Sequence, residues 1–263
     1  MKIHLWVLLY VSFLFQGCES DSSQEELPNI LWITSEDMNA FLGAYGDEYA
    51  YTPNLDKLAS EGVRYTHAYA TAPVCSPSRA CLITGVYATS LGTQHLRSNT
   101  RVPDFIKGFP EYLREKGYYC SNNDKEDYNF TREAIWDESS KEAHWRKRKN
   151  GQPFFSVFNI ETTHQSQIFG SDSAFYEKYG KLLTEEEKHD PELAPIPPYH
   201  FDSEEVKKLW ARYYDLVSLM DRQVGEILAE LEKDGLADNT IILFYSDHGT
   251  GMPRSKRALY DSG

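Results

Sequence analysis

The chain reads as an α/β protein, a mostly parallel sheet sandwiched between helices, and three features carry that reading. Three apolar runs, at residues 29–34, 153–160 and 238–245, lack the in-out alternation of a half-exposed strand and have the character of strands buried on both faces. Stretches with helical apolar spacing separate them, the longest at 203–233. Each run then gives way to polar, chemically competent side chains, and in parallel sheets the carboxyl ends of the strands are where ligand crevices form. At 263 residues, 41% of them hydrophobic, the chain is long enough to bury a core, and no internal repeat is visible.

In chain order, Lys2 and the apolar run from Ile3 to Phe15, followed by Gln16-Gly17-Cys18, have the proportions of an export signal and are too short to cross a bilayer. The expected organisation is a signal at 1–18, a polar tether at 19–27 and one domain at 28–263. Gly17-Cys18 resembles a bacterial lipobox. That implies lipid on Cys18, membrane attachment through this lipid alone, and export to the periplasm or to the outer membrane as a lipoprotein. The first strand closes on Glu36 and Asp37, acids placed to face a crevice. Residues 51–62 predict a helix, with Pro53 at its start, Leu55, Leu58 and Ala59 apolar, and Gly62 as the stop. A strand is expected at 63–70.

Cys75-Ser76-Pro77-Ser78-Arg79 then opens a short helix, with Pro77 suited to the first helical position and Gly85 to a left-handed stop. Cys75 would lie just ahead of free backbone N–H groups, at the positive end of the helix dipole, where a negatively charged substrate is attracted. Taken alone, the cysteine reads first as a buried structural thiol, and it is the neighbours that change this. His95 and Arg97 follow shortly after. A helix at 110–117 and a strand at 118–121 lead to Asn122-Asn123-Asp124-Lys125-Glu126-Asp127. The basic run Trp145-Arg146-Lys147-Arg148-Lys149 is either a solvated helix face or a contact for an anionic glycan.

The strand at 153–160 delivers His164, whose imidazole, with an unperturbed pKa of about 6.5, can donate and accept protons near neutrality. A hydrogen-bonded loop histidine is the other reading. Residues 165–202, with Pro191, Pro195, Pro197 and Pro198, read as a long surface excursion of the kind that forms binding loops. Asp202 and Glu205 are spaced as a capping box for the long helix, Trp210, Tyr213, Val217, Met220, Val224 and Leu231 form its core stripe, and Gly235 stops it. The last strand closes on Ser246-Asp247-His248-Gly249, with Lys256 and Arg257 beyond.

Cys75-x-Pro77-Ser78-Arg79 resembles the signature of the type I sulfatases, in the alkaline phosphatase-like superfamily, and the other polar clusters follow that family's order. The resemblance implies that Cys75 is oxidised to formylglycine by a formylglycine-generating or anaerobic sulfatase-maturating enzyme. The hydrate of that aldehyde would attack sulfur while Lys125, Lys256, Arg79 and a divalent cation, Ca2+ by family, offset the charge. The implied metal set is Glu36, Asp37, residue 75, Asp247 and His248. Asp247 or a neighbouring ligand would take the first proton, and His164 with Lys256 would assist the leaving group. Lys125, His164, Lys256, His95 and Arg97 are the implied substrate contacts.

Three departures stand out. Glu36 replaces an aspartate, Asp127 stands where the family places a histidine, and His248 occupies a position often held by asparagine. A nitrogen donor there loosens the claim to calcium, which prefers oxygen. The layout resembles the heparan N-sulfatase branch, implying hydrolysis of N-sulfoglucosamine. The rivals are removal of another sulfate from a glycan, a phosphonate or phosphate monoester hydrolase, and a noncatalytic glycan-binding protein with an unmodified Cys75. The family usually continues into a C-terminal subdomain that this sequence is expected to lack. With Cys18 and Cys75 assigned, Cys81 and Cys120 remain as a possible disulfide pair. A net charge of −13 argues against nonspecific nucleic-acid binding and leaves local cations to attract an anionic substrate.

Overall fold

Strands β1 (Asn29–Ser35), β2 (Tyr119–Asn123), β3 (Glu138–Ser139), β4 (Phe154–Ile160) and β5 (Thr240–Ser246) lie in the order β3-β2-β4-β1-β5, and every pairing is parallel. This computed structural model describes residues 27–132, 135–260 and 263; the predicted signal, with Cys18, lies outside the described residues. Helices α1 (Pro53–Glu61), α2 (Cys75–Thr84), α3 (Ala88–Leu91), α4 (Phe109–Glu115), α5 (Gln165–Ile168), α6 (Asp172–Lys178) and α7 (Glu204–Lys233) surround the sheet.

Alternation along the strands separates two cores. Leu31 and Ile33 of β1, Phe154 and Ile160 of β4, and Ile242 and Phe244 of β5 pack with the α7 stripe of Trp210, Tyr213, Val217, Met220 and Val224. On the other face Trp32, Phe155 and Val157 meet Ile83 of α2 and Phe109 and Leu113 of α4. The Trp32 and Phe155 rings cross edge to face at 4.9 Å. Helices therefore cover both faces of the sheet at β1 and β4, whereas the edge strand β5, expected to be buried on both faces, leaves Ile241 and Leu243 exposed on one.

Register sets up the site. Ser35 of β1 pairs with Ile160 of β4 and with Ser246 of β5, so these three strands end level. The polar residues that follow each strand emerge along one edge.

Several local expectations are corrected. Residues 63–70 are irregular, with a bend at 66–67, rather than a strand, because no described strand pairs with them; Val63 is 83% exposed. Helix α2 begins at Cys75, making Pro77 its third residue, and Gly85 closes it at φ 69°. Ser203, not Asp202, caps α7, accepting from the Val206 N–H at 3.4 Å. The 165–202 excursion is packed: Ile168, Phe175, Tyr179 and Leu183 join the α7 core. Cys81 and Cys120 are both free thiols, and the Cys120 Sγ instead points at the Pro110 carbonyl at 3.5 Å. The basic run opens as a 3₁₀ turn, Trp145–Lys147, whose two charges are already matched, Arg146 to Glu230 and Asp234, and Lys147 to Glu138. No helix among the described residues is long and apolar enough to cross a membrane.

Asp221 of α7 ties the helical layer together by capping α1 from outside. Its carboxylate accepts from the backbone N–H groups of Asn54, at 3.1 Å, and Leu55, at 2.8 Å, and from Asn54 Nδ2 at 2.8 Å. Asp221→Ala leaves these donors without an acceptor, and we expect a loss of about 2–4 kcal/mol in urea unfolding. A loss below about 0.5 kcal/mol would show that the cap does not hold α1.

Candidate active site

The ladder of β1 extends one residue further, with the Glu36 N–H on the Ile160 carbonyl at 3.1 Å, and then breaks at Asp37, which takes a left-handed φ of 49° that aspartate tolerates. The turn sends the two adjacent acids to different partners. Glu36 faces Lys125 Nζ and lies 4.0 Å from His164 Nε2. Asp37 accepts from Lys256 Nζ at 2.8 and 2.7 Å and lies 3.1 Å from His248 Nε2. The Gln165 backbone N–H donates to Asp37 Oδ2 at 2.7 Å. Both acids are fully buried.

Cys75, 5% exposed, stands at the first position of α2, where the first-turn N–H groups have no intrahelical acceptor. Its Sγ lies 3.2 Å from His248 Nε2. Burial works against the thiolate, but hydrogen bonds to His164 and His248 outweigh it and bring the thiol to about 7. His164 is correspondingly raised above its ordinary value, first by its hydrogen bond with Cys75. The His164 Nδ1 accepts from the Ser166 N–H at 3.3 Å, leaving Nε2 to face the cluster. For His248, burial opposes the charged form, yet Asp37, Cys75 and Asp247 carry it up to about 10.

Asp247 follows β5 and is anchored twice, its carbonyl accepting from Ser78 Oγ at 2.5 Å and its Oδ1 from the Asp37 N–H at 3.3 Å. Glu36 Oε1 is taken by Lys125 Nζ, whereas Glu36 Oε2 and Asp247 Oδ2 accept no hydrogen bond. Burial, then Asp247, raises the Glu36 carboxyl, and Lys125 offsets this only in part. Three buried carboxylates, two of them with an oxygen that accepts no hydrogen bond, joined by an imidazole, fit a divalent cation. Glu36, Asp37, Asp247 and His248 are the residues that would hold it. The imidazole is a poor match to calcium in particular.

The structure gathers Glu36, Asp37, Cys75, Lys125, His164, Asp247, His248 and Lys256 in this cluster. Arg79 is reassigned. Its Nε donates to the Glu126 carbonyl at 3.1 Å and its NH2 to the Lys125 carbonyl at 2.9 Å and to Asn159 Oδ1, while NH1 lies 3.7 Å from Asp247. It clamps the 125–126 loop and Asp247 instead of offering its donors to an anion. His95 and Arg97 are exposed, outside the buried cluster, on a loop held by Asn129 Nδ2 through the Thr93 and His95 carbonyls at 2.7 and 2.9 Å. Arg257 pairs with Gln165 Oε1 at 2.8 Å.

Sequence reasoning missed Asn159, which also donates to Asn122 Oδ1 at 3.0 Å and joins β2 to Arg79. An amide within an otherwise apolar strand was its signal. It also missed Gln165 and Thr163, whose Oγ1 donates to the Glu36 carbonyl at 2.5 Å.

The family sequence model described as Sulfatase matches residues 28–263. An ulvan-active sulfatase of Formosa agariphila is 41% identical over 275 residues, covering 90% of this chain and 46% of its own length. The chain thus spans about half of that curated relative. A solved structure of a protein in complex with its substrate, D-glucosamine-2-N,6-O-disulfate, superposes with a TM-score of 0.64 at 19% identity, covering 85% of this chain and 66% of that one. The phosphonate monoester hydrolase of Agrobacterium radiobacter superposes with a TM-score of 0.64 at 17% identity, covering 90% and 65%. At these identities the two structures speak for the alkaline phosphatase-like fold.

Proposed function

Because this chain belongs to the sulfatase family, we propose that the whole protein removes sulfate from a sulfated glycan at the carboxyl edge of its parallel sheet. The observation that carries this is the convergence on one buried residue, Cys75, of two imidazoles, two lysines and three carboxylates from five separate stretches of chain. Oxidised to formylglycine, residue 75 would supply an aldehyde whose hydrate is a nucleophile. A divalent cation on Glu36, Asp37, Asp247 and His248 would supply positive charge beside the sulfate oxygens.

The chain's own residues do the rest. Lys125 and Lys256, ion-paired here with Glu36 and Asp37, place two ammonium groups beside residue 75, where a sulfate monoester carries its charge. His164 Nε2 is within reach of the same atom, and its hydrogen bond there raises its pKa above the ordinary value, which suits it to protonate the departing oxygen. Arg79 keeps Asp247 and the Lys125 loop in register, a positioning role. Burial of the cluster excludes bulk water and strengthens each of these charges.

The relative named for ulvan makes ulvan the first substrate to try, ahead of the N-sulfoglucosamine that the sequence layout implied. The apolar run ending in Cys18 supports export, to where polysaccharides are met. The test is sulfate release by the full-length protein, purified from a host that converts residue 75, from ulvan and from N- and O-sulfated glucosamine. Matched aryl sulfates and phosphates form a second arm. Sulfate release with mass loss at residue 75 is expected. Phosphate release in its place would move the protein to the monoester hydrolases, and no release with an intact thiol would end the reading.

A further inference from the structure

We propose that the chain whose residue 75 is still a thiol is a zinc site, with Cys75 Sγ and His248 Nε2 as the donors that set it apart from a calcium site. His248 is buried and donates its Nδ1–H to the Gly249 carbonyl at 2.8 Å, the way a metal-ligating histidine fixes its tautomer. Nε2 then faces Cys75 Sγ at 3.2 Å, Asp37 Oδ1 at 3.1 Å and Asp247 Oδ1 at 3.6 Å. In the metal-free chain the Nε2 proton holds these acceptors together, and a metal ion would take that proton's place among the same donors.

A second, independent observation points the same way. Asp247 Oδ2 is buried and accepts no hydrogen bond. Ligand atoms of Cys75, Asp247 and His248 lie within 4.8 Å of one another, and those of Asp37, Cys75 and His164 do likewise, with Cys75 common to both triads. Sulfur, imidazole and carboxylate in one pocket are zinc's ligand types, whereas calcium takes oxygens alone.

Binding forms S–Zn and N–Zn bonds and releases the thiol proton and the His248 Nε2 proton to solvent. Oxidation of residue 75 to the aldehyde removes the sulfur donor, so the unconverted and converted chains have different metal preferences. Zinc on the thiolate marks a holding state without a free nucleophile. The inference rests on donor atoms and goes beyond the sulfatase reading.

The test uses full-length protein with Cys75 verified as a thiol by intact mass, titrated calorimetrically with Zn2+ and with Ca2+, and with Co2+ as a spectroscopic probe. We expect Zn2+ to bind at least about 100-fold more tightly than Ca2+, and Co2+ to show thiolate-to-cobalt charge-transfer absorption. Cys75→Ser should abolish that absorption and weaken Zn2+ at least about 10-fold, with an unchanged circular dichroism spectrum. His248→Asn should shift preference toward Ca2+. Equal affinity for the two metals, binding of neither, cobalt bound without the charge-transfer band, or zinc affinity untouched by Cys75→Ser would each overturn the proposal. Failure of sulfate release by the converted protein would leave it standing, which separates the two readings.

Discussion

Cys75→Ala should lower kcat for sulfate release by more than about 10³-fold while the protein stays folded. The fold tolerates the change because the thiol is small and sits at the first position of α2, where alanine is a good helix former and no cap hydrogen bond depends on the side chain. Its Sγ contacts lie in the polar cluster rather than in either apolar core. The cost in stability should stay near 1 kcal/mol, as for a small buried truncation. Activity has no such tolerance. Lys125, Lys256 and His164 are arranged around that one atom, and without a nucleophile they can only bind. Equilibrium urea unfolding beside a sulfate-release assay separates the two effects. Retention of more than about a thousandth of the activity would contradict a covalent role for residue 75.

The sheet was legible because its strands write themselves as unbroken apolar runs, and β1, β4 and β5 fall within one or two residues of where those runs lie, although β5 is buried on one face only. Helix α7 was equally plain, its stripe repeating over 30 residues. Residues 63–70 misled for a physical reason: Val63, Tyr65 and Tyr69 have strand propensity, but propensity is expressed only against a partner strand, and the described chain provides none. Strand β3 was invisible because two residues, Glu138 and Ser139, carry no periodicity. At the site, the residue types were readable as polar ends of apolar strands, and the level register of Ser35, Ile160 and Ser246 explains why they converge. Arg79 was not readable, because half of what occupies its guanidinium is backbone carbonyl, which has no sequence signature. His95 and Arg97 are close in sequence to the nucleophile helix, yet proximity along a chain does not place a side chain in a pocket.

Asp37 is where stability and function are most tightly joined, and its removal should cost both. Its carboxylate holds Lys256 Nζ, His248 Nε2 and the Gln165 N–H while fully buried. Asp37→Ala leaves an ammonium and an imidazole without their counter-charge, and breaking such a buried pair costs about 3–5 kcal/mol. Turnover should fall below detection, because Lys256 and His248 lose the group that orients them. Acid should mimic the substitution. Burial works against ionisation, but His248 and Lys256 hold the carboxyl down at about 2 against an ordinary 3.8. A carboxyl depressed on folding contributes stability that is complete above its unfolded pKa and lost as the pH falls through its folded one. The gap between wild type and Asp37→Asn should therefore narrow by about 2 kcal/mol between roughly pH 4 and pH 2. Urea midpoints across that range read it directly. A gap that stays constant to pH 2 would show that Asp37 is not ionised against these partners, and the electrostatic account of the cluster would go with it.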